Sequence, residues 1–181
     1  NGDLESARRY LDAALQLNAN YAPALSERGD VLFRQRDFQR AILDYTRAIV
    51  LGTKSSAIYT SRGEAYANVK DEARALEDFD QAVQIDPKST VAYTSRGRVL
   101  MLQNKTEQAF ADFTRALDLD PRARTAYRLR GSIYSLRQDY RNAIADFDKA
   151  IALDPDHDAA VYYERGEARY NLRDIDGAVA D

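Results

Sequence analysis

An all-α solenoid of stacked helix pairs is the fold this chain predicts, and three observations carry that expectation. The dipeptide Arg-Gly returns as Arg28-Gly29, Arg62-Gly63, Arg96-Gly97, Arg130-Gly131 and Arg165-Gly166, at intervals of 34, 34, 34 and 35 residues. Around each copy the apolar residues follow a helical rather than an alternating period. Only 8 glycines and 4 prolines punctuate 181 residues that are 45% hydrophobic and 30% charged, which leaves room for long helices and short turns. A chain that repeats one such unit buries each unit's apolar face on its neighbours instead of on one central core.

The first element expected is a lone second helix over residues 3–18, with Ala7, Leu11, Ala14, Leu15 and Leu17 on its apolar side. Four helix pairs follow, at about 22–53, 56–87, 90–121 and 124–155, and an incomplete pair at 159–181 in which Ile175, Ala178 and Val179 open a second helix. The first helices show one face in common: Leu25, Arg28, Gly29, Leu32; Tyr59, Arg62, Gly63, Tyr66; Tyr93, Arg96, Gly97, Leu100; Tyr127, Arg130, Gly131, Tyr134. The second helices answer with Ala41, Tyr45, Ala48; Ala75, Phe79, Ala82; Ala109, Phe113, Ala116; Ala143, Phe147, Ala150. A glycine inside a helix costs roughly 1 kcal/mol relative to alanine, so its return in every first helix predicts close approach by a bulky group, the aromatic of the second helix. The alanines let the paired helices come together.

The ends of these helices are marked as regularly. Asp37, Asp71, Asp139 and Asp174 stand where second helices should begin, placed to accept backbone N–H bonds. Asp86-Pro87, Asp120-Pro121 and Asp154-Pro155 should end them, because proline lacks the amide donor and drives the preceding residue out of helical geometry. Gly52-Thr53 does this once without proline.

Composition narrows the function classes. The net charge of −3 argues against a surface for the phosphate backbone of nucleic acid, which calls for a strongly basic face. No stretch approaches the roughly 20 apolar residues of a membrane span, and the N-terminal pattern of a secretory signal is missing. Zero cysteines exclude disulfides and thiolate metal sites and leave the cytoplasm as a default compartment only. Because the chain begins with Asn1 inside a repeat and stops inside another, the expectation is a piece of a longer protein.

The segment from Tyr59 to Pro87 resembles the tetratricopeptide repeat family almost position by position, with its aromatic, Gly, aromatic, Ala, aromatic and Pro pattern, and the resemblance extends over nearly the whole chain. It departs in two ways: tyrosine or Leu25 stands for the usual tryptophan, and arginine for the leucine before the glycine. The resemblance implies a right-handed superhelix whose first helices line a concave groove for extended or helical peptides. The groove positions lie three before, one after and four after each glycine: Ser26, Asp30, Phe33; Thr60, Glu64, Ala67; Thr94, Arg98, Met101; Arg128, Ser132, Ser135; Tyr163, Glu167, Tyr170. The lysine and asparagine with which some members clamp a terminal carboxylate are not there; Ser26 with Asp30 and Thr60 with Glu64 take those places. Phe33, Met101, Tyr163 and Tyr170 supply apolar anchors. Arg98 and Arg128 are suited to an acidic group of a partner peptide, with pairing to Glu64 or Glu167 as the other reading.

Arg28, Arg62, Arg96, Arg130 and Arg165 each precede an aspartate by 16 residues, at Asp44, Asp78, Asp112, Asp146 and Asp181. Either these form a ladder of ion pairs between helices, within a unit or to its neighbour, or both series are solvated helix-face charges. The single histidine, His157, lies among Asp154, Asp156 and Asp158, where exposed acidic turns are as ready an explanation as a metal. No catalytic site, cofactor or metal centre is expected. The functional expectation is a non-catalytic protein-interaction scaffold binding a protein or peptide partner. The alternatives are a regulatory or substrate-recruiting arm of a larger enzyme and a module that self-associates through its terminal repeats.

Overall fold

The computed structural model describes residues 2–154 and 159–181. Eleven helices and no strand occur among the described residues: α1 (Gly2–Leu17), α2 (Ala22–Arg34), α3 (Phe38–Val50), α4 (Ser56–Asn68), α5 (Glu72–Ile85), α6 (Thr90–Leu102), α7 (Thr106–Leu119), α8 (Arg124–Leu136), α9 (Tyr140–Leu153), α10 (Ala159–Asn171) and α11 (Ile175–Ala180). The all-α, helix-pair architecture that the period predicts is therefore present. The chain divides into two compact units, Asn1–Val99 and Leu100–Asp181. In the first, α1 packs on α2, α2 on α3, α3 on α4, α4 on α5, and α2 also touches α4. In the second, α7 packs on α8, α8 on α9, α9 on α10, α10 on α11, and α8 touches α10.

The glycines sit where the sequence places a close approach. A Cβ on Gly29 would lie 2.5 Å from the ring of Tyr45; on Gly63, 2.7 Å from that of Phe79; on Gly131, 2.7 Å from that of Phe147. All three rings are fully buried, flanked by Ala41 and Ala48, Ala75 and Ala82, and Ala143 and Ala150. Small against large is the packing rule of each pair, and it holds the backbones closer than any side chain would permit.

Asp37, Asp71, Asp139 and Asp174 each accept the backbone N–H three residues on, so the four second helices α3, α5, α9 and α11 start on a side-chain cap. Asp86 and Asp120 leave helical geometry for extended backbone directly before proline. Gly52, at φ 103°, closes α3 in the left-handed region, its neighbour Thr53 donating back to the carbonyl of Ala48. One regular feature was not read from the sequence. Arg36, Lys70, Asn104, Gln138 and Arg173, the residues between first and second helix, all have φ between 58° and 66°. Of these side chains only asparagine favours that conformation, so residue type hid the turn. Backbone bonds hold it instead: Asp37 N donates to Leu32 O, Asp71 N to Tyr66 O and Asp139 N to Tyr134 O.

Candidate partner-binding face

The arginine that precedes each glycine is the largest polar commitment in both units. Arg62 donates through Nε and Nη2 to the two carboxylate oxygens of Asp78 at 2.8 and 2.7 Å, and Nη1 reaches Thr46 at 3.1 Å. Arg28 holds Asp44 in the same fork and Asp12 with its third nitrogen. Arg130 holds Asp146, and Arg165 holds Asp181 with Asp148. Arg96 reaches Asp80 at 2.7 Å. Of the two readings of the series the ion-pair ladder is the one observed for Arg28, Arg62, Arg130 and Arg165. In Arg28, Arg62 and Arg165 one guanidinium bridges its own second helix and the preceding one. The Arg62 and Asp78 side chains retain 16% and 5% of their exposure, so the pair is neither solvated nor fully buried.

Tyrosine rings complete the setting. Arg62 lies 5.7 Å from the ring centre of Tyr59, Arg96 5.5 Å from Tyr93, Arg130 5.8 Å from Tyr127 and Arg165 5.3 Å from Tyr162. Asp78 and Asp146 hold Arg62 and Arg130 above the ordinary arginine value against the opposing effect of burial. These residues belong to the architecture and face away from the opposite edge of the first helices.

That opposite edge is where successive first helices exchange polar bonds. In the first unit the Ser95 hydroxyl donates to Glu64 Oε1 at 2.7 Å, and Arg98 stands 3.7 Å from the same carboxylate. The Tyr45 hydroxyl, carried past Gly29, donates to Asp30 Oδ1 at 2.7 Å. Burial first, and then the Asp30 carboxylate, push the Tyr45 phenol well above its ordinary value, while the Ser61 hydroxyl acts in the opposite sense. In the second unit Glu164 accepts from Arg128 Nε and Nη2 at 3.1 and 2.9 Å and from the Ser132 hydroxyl at 2.9 Å.

The expected groove residues distribute unevenly over this edge. Asp30, Arg98, Tyr163, Glu167 and Tyr170 are exposed; Ser26, Phe33, Glu64, Ala67, Thr94, Met101, Arg128, Ser132 and Ser135 are half-buried. Thr60 is buried and donates to the Ser56 carbonyl within its own helix, so it offers no contact surface. Thr94 and Ser26 likewise bond their own helices, to Thr90 and Ala22. Phe33 packs edge-on against Phe38 at 5.3 Å and belongs to the core margin. Arg98 pairs with Glu64, one of the two acids named for it, whereas the partner of Arg128 is Glu164, not Glu167. The reason is register: Glu164 lies two residues before Gly166, on the side facing the preceding helix, while Glu167 accepts from Tyr163 on its own helix. Ser61 and Ser95 occupy that same place before Gly63 and Gly97. The repeating frame was the signal that could have revealed this position.

The acidic turn around His157 includes Asp156, His157 and Asp158, which lie outside the described residues. Among the described residues no cluster of histidine and carboxylates could hold a metal ion, and no helix is long and apolar enough to cross a membrane.

Comparison with known proteins agrees with this architecture. A solved structure of pilF from Pseudomonas aeruginosa superimposes with a TM-score of 0.88 at 18% identity, covering 99% of this chain and 81% of that one. YrrB, described as a TPR protein with an unusual peptide-binding site, gives 0.70 at 22% identity over 96% of this chain and 85% of its own. MamA gives 0.76 at 21% identity over 85% and 90%. At such identities the likeness establishes the fold alone. Among curated proteins none matches this chain. Sequence profiles of the tetratricopeptide repeat match residues 1–56 and 27–90, 63–131 and 125–157, and with the helix pairs and glycine-seated rings described above they show that the chain belongs to the tetratricopeptide repeat family.

Proposed function

We propose that this chain is a non-catalytic protein-interaction scaffold that holds a segment of a partner protein along the exposed edge of its first helices. The observation that carries the reading is that in each unit side chains from successive first helices meet on one edge: Glu64 with Ser95 and Arg98 in the first, and Arg128 and Ser132 with Glu164 in the second. Such a row presents donors, acceptors and half-buried apolar groups at each helix step, which is what an elongated ligand needs. YrrB, a member of the same fold, is described by its peptide-binding site, and that precedent favours a peptide here. The net charge of −3 favours a protein partner over a phosphate backbone.

The test is positional. Photo-crosslinking residues placed at Asp30 and Arg98, both exposed on this edge, should capture a partner protein that the same probe at Glu77 or Gln84, exposed on α5, does not. Equal capture from both sets, or capture from α5 alone, would remove the edge as the binding site. Arg98→Ala with Arg128→Ala should weaken the capture while the helical circular dichroism stays unchanged; undiminished capture would exclude the two arginines.

A further inference from the structure

The first unit differs from the second in carrying carboxylates at two successive positions of this edge, Asp30 and Glu64. On α2 that edge carries Asp30 with Glu27 beside it, both exposed, and on α4 it carries Glu64. The arginine of α4, Arg62, is turned away into the bridge with Asp78; Arg34 lies in the last turn of α2, and Arg98 of α6 stands 3.7 Å from Glu64. Asp30 is oriented by the Tyr45 hydroxyl on Oδ1, and Glu64 by the Ser95 hydroxyl on Oε1, with Arg98 3.7 Å from that same oxygen. A hydroxyl orders a carboxylate without cancelling its charge, and it leaves the second oxygen for another donor. At the corresponding positions of the second unit only one carboxylate remains: Ser132 replaces the first and meets Glu164, already forked by Arg128, while Glu167 accepts from the Tyr163 hydroxyl.

Spacing turns this into a recognition rule. Helices α2 and α4 touch, and packed helices run about 8–10 Å apart. A polyproline II segment advances about 3.1 Å per residue with three residues per turn, so side chains three apart share a side and stand about 9 Å from one another. We propose that the α2/α4 edge selects an extended cationic segment with lysine or arginine at every third position, one cation seated on Asp30 and the next on Glu64. This rests on the scaffold reading above and adds the chemistry of the ligand to it.

The probe is a labelled peptide of about 12 residues repeating Lys-Pro-Pro, which holds polyproline II conformation, titrated by fluorescence anisotropy with the full chain. Saturable binding is expected, weakened about tenfold or more by Asp30→Asn with Glu64→Gln, which remove charge and keep shape. A peptide of equal charge with its lysines four apart should bind more weakly, and a Glu-Pro-Pro peptide should not bind. Circular dichroism verifies the fold of the double variant, and Asp30→Asn alone, at an exposed position, gives a second reading. Undiminished affinity in the variants, or no preference for the three-residue spacing, overturns the cation assignment. A Glu-Pro-Pro peptide bound through Arg98 overturns it as well while leaving the scaffold reading standing. Failure of every peptide together with failure of the crosslinking experiment removes both.

Discussion

Residues Asn1–Val99 and Leu100–Asp181 pack by one rule and present different chemistry. In both, an aromatic ring covers a helical glycine and an Arg-Asp fork lies beside it: Phe79 on Gly63 with Arg62 and Asp78, Phe147 on Gly131 with Arg130 and Asp146. On the edge of the first helices the first unit carries two carboxylates, Asp30 and Glu64, held by hydroxyls with Arg98 beside Glu64, whereas the second carries one, Glu167, and locks Glu164 into an ion pair with Arg128. Positions that build the repeat tolerate little variation, because each is defined by contact on several sides. Positions on the edge are free to differ, and that freedom is where partner choice can reside.

If the packing rule is shared, breaking it should cost the same in either unit, and this is the largest effect expected. Gly63→Ala and Gly131→Ala each drive a Cβ into a buried ring and should destabilise their own unit by about 2 kcal/mol, measured by denaturant unfolding and residue-resolved hydrogen exchange. At Gly166 the nearest neighbours of a Cβ lie at 3.4 Å, so Gly166→Ala should be neutral or stabilising by up to about 1 kcal/mol. Equal losses at all three glycines would show that helix geometry, not the ring, sets the requirement.

The fork gives a second comparison. Asp78→Ala and Asp146→Ala leave a partly enclosed guanidinium without its main partner and should each cost about 1.5 kcal/mol, between the values for an exposed and a buried pair. Asp80, an exposed partner of Arg96, should cost less than about 1 kcal/mol when replaced by alanine. Similar losses at Asp78 and Asp80 in chemical denaturation would mean that enclosure does not govern the ladder.

A smaller difference between the units lies at the third nitrogen of the arginine. Thr46 accepts from Arg62, while the Thr114 hydroxyl is buried without a hydrogen-bond partner. Thr46→Val should therefore cost about 1 kcal/mol and Thr114→Val close to nothing or a slight gain. A loss at Thr114 equal to that at Thr46 would contradict the distinction.

The smallest effect is one of pH and is tested at Tyr45 of the first unit. Tyr45 stays neutral in the fold well above the ordinary tyrosine value of 10.0, so the stability it contributes is complete below that value and declines as pH rises above it. Thermal unfolding followed above pH 10 should show a steeper loss in the native chain than in Tyr45→Phe. Parallel curves would show that the phenol ionises alike in folded and unfolded chains.

The repeat was legible in the sequence because its marks are local. Glycine, alanine and aromatic residues at fixed intervals name the packing face, and Asp37, Asp71, Asp139 and Asp174 name the helix starts. The 16-residue spacing of arginine and aspartate also pointed to pairing across helices. The second partners, Asp12, Thr46, Asp80 and Asp148, come from the helix before each arginine, and three of the four are aspartates, at 16 or 17 residues before it, a spacing that the pairing with the following aspartate overshadowed. The left-handed turn residues escaped for a different reason. Backbone hydrogen bonds impose their conformation, so Arg36, Lys70 and Gln138 carry no signature of it.

By itself the sequence determined the helix pairs, the caps, the glycine-aromatic contacts and the family, since all of these repeat and each copy reinforces the others. Only tertiary structure decided which charges of the contact edge neutralise one another: that Arg128 meets Glu164 and not Glu167, that Thr60 turns inward, and that Asp30 is held by a tyrosine hydroxyl reaching past Gly29. The physical reason is one of range. Periodicity names the positions that face one another, but which of several candidate partners closes an ion pair or hydroxyl bond between helices depends on angstrom-scale distances that the period does not fix.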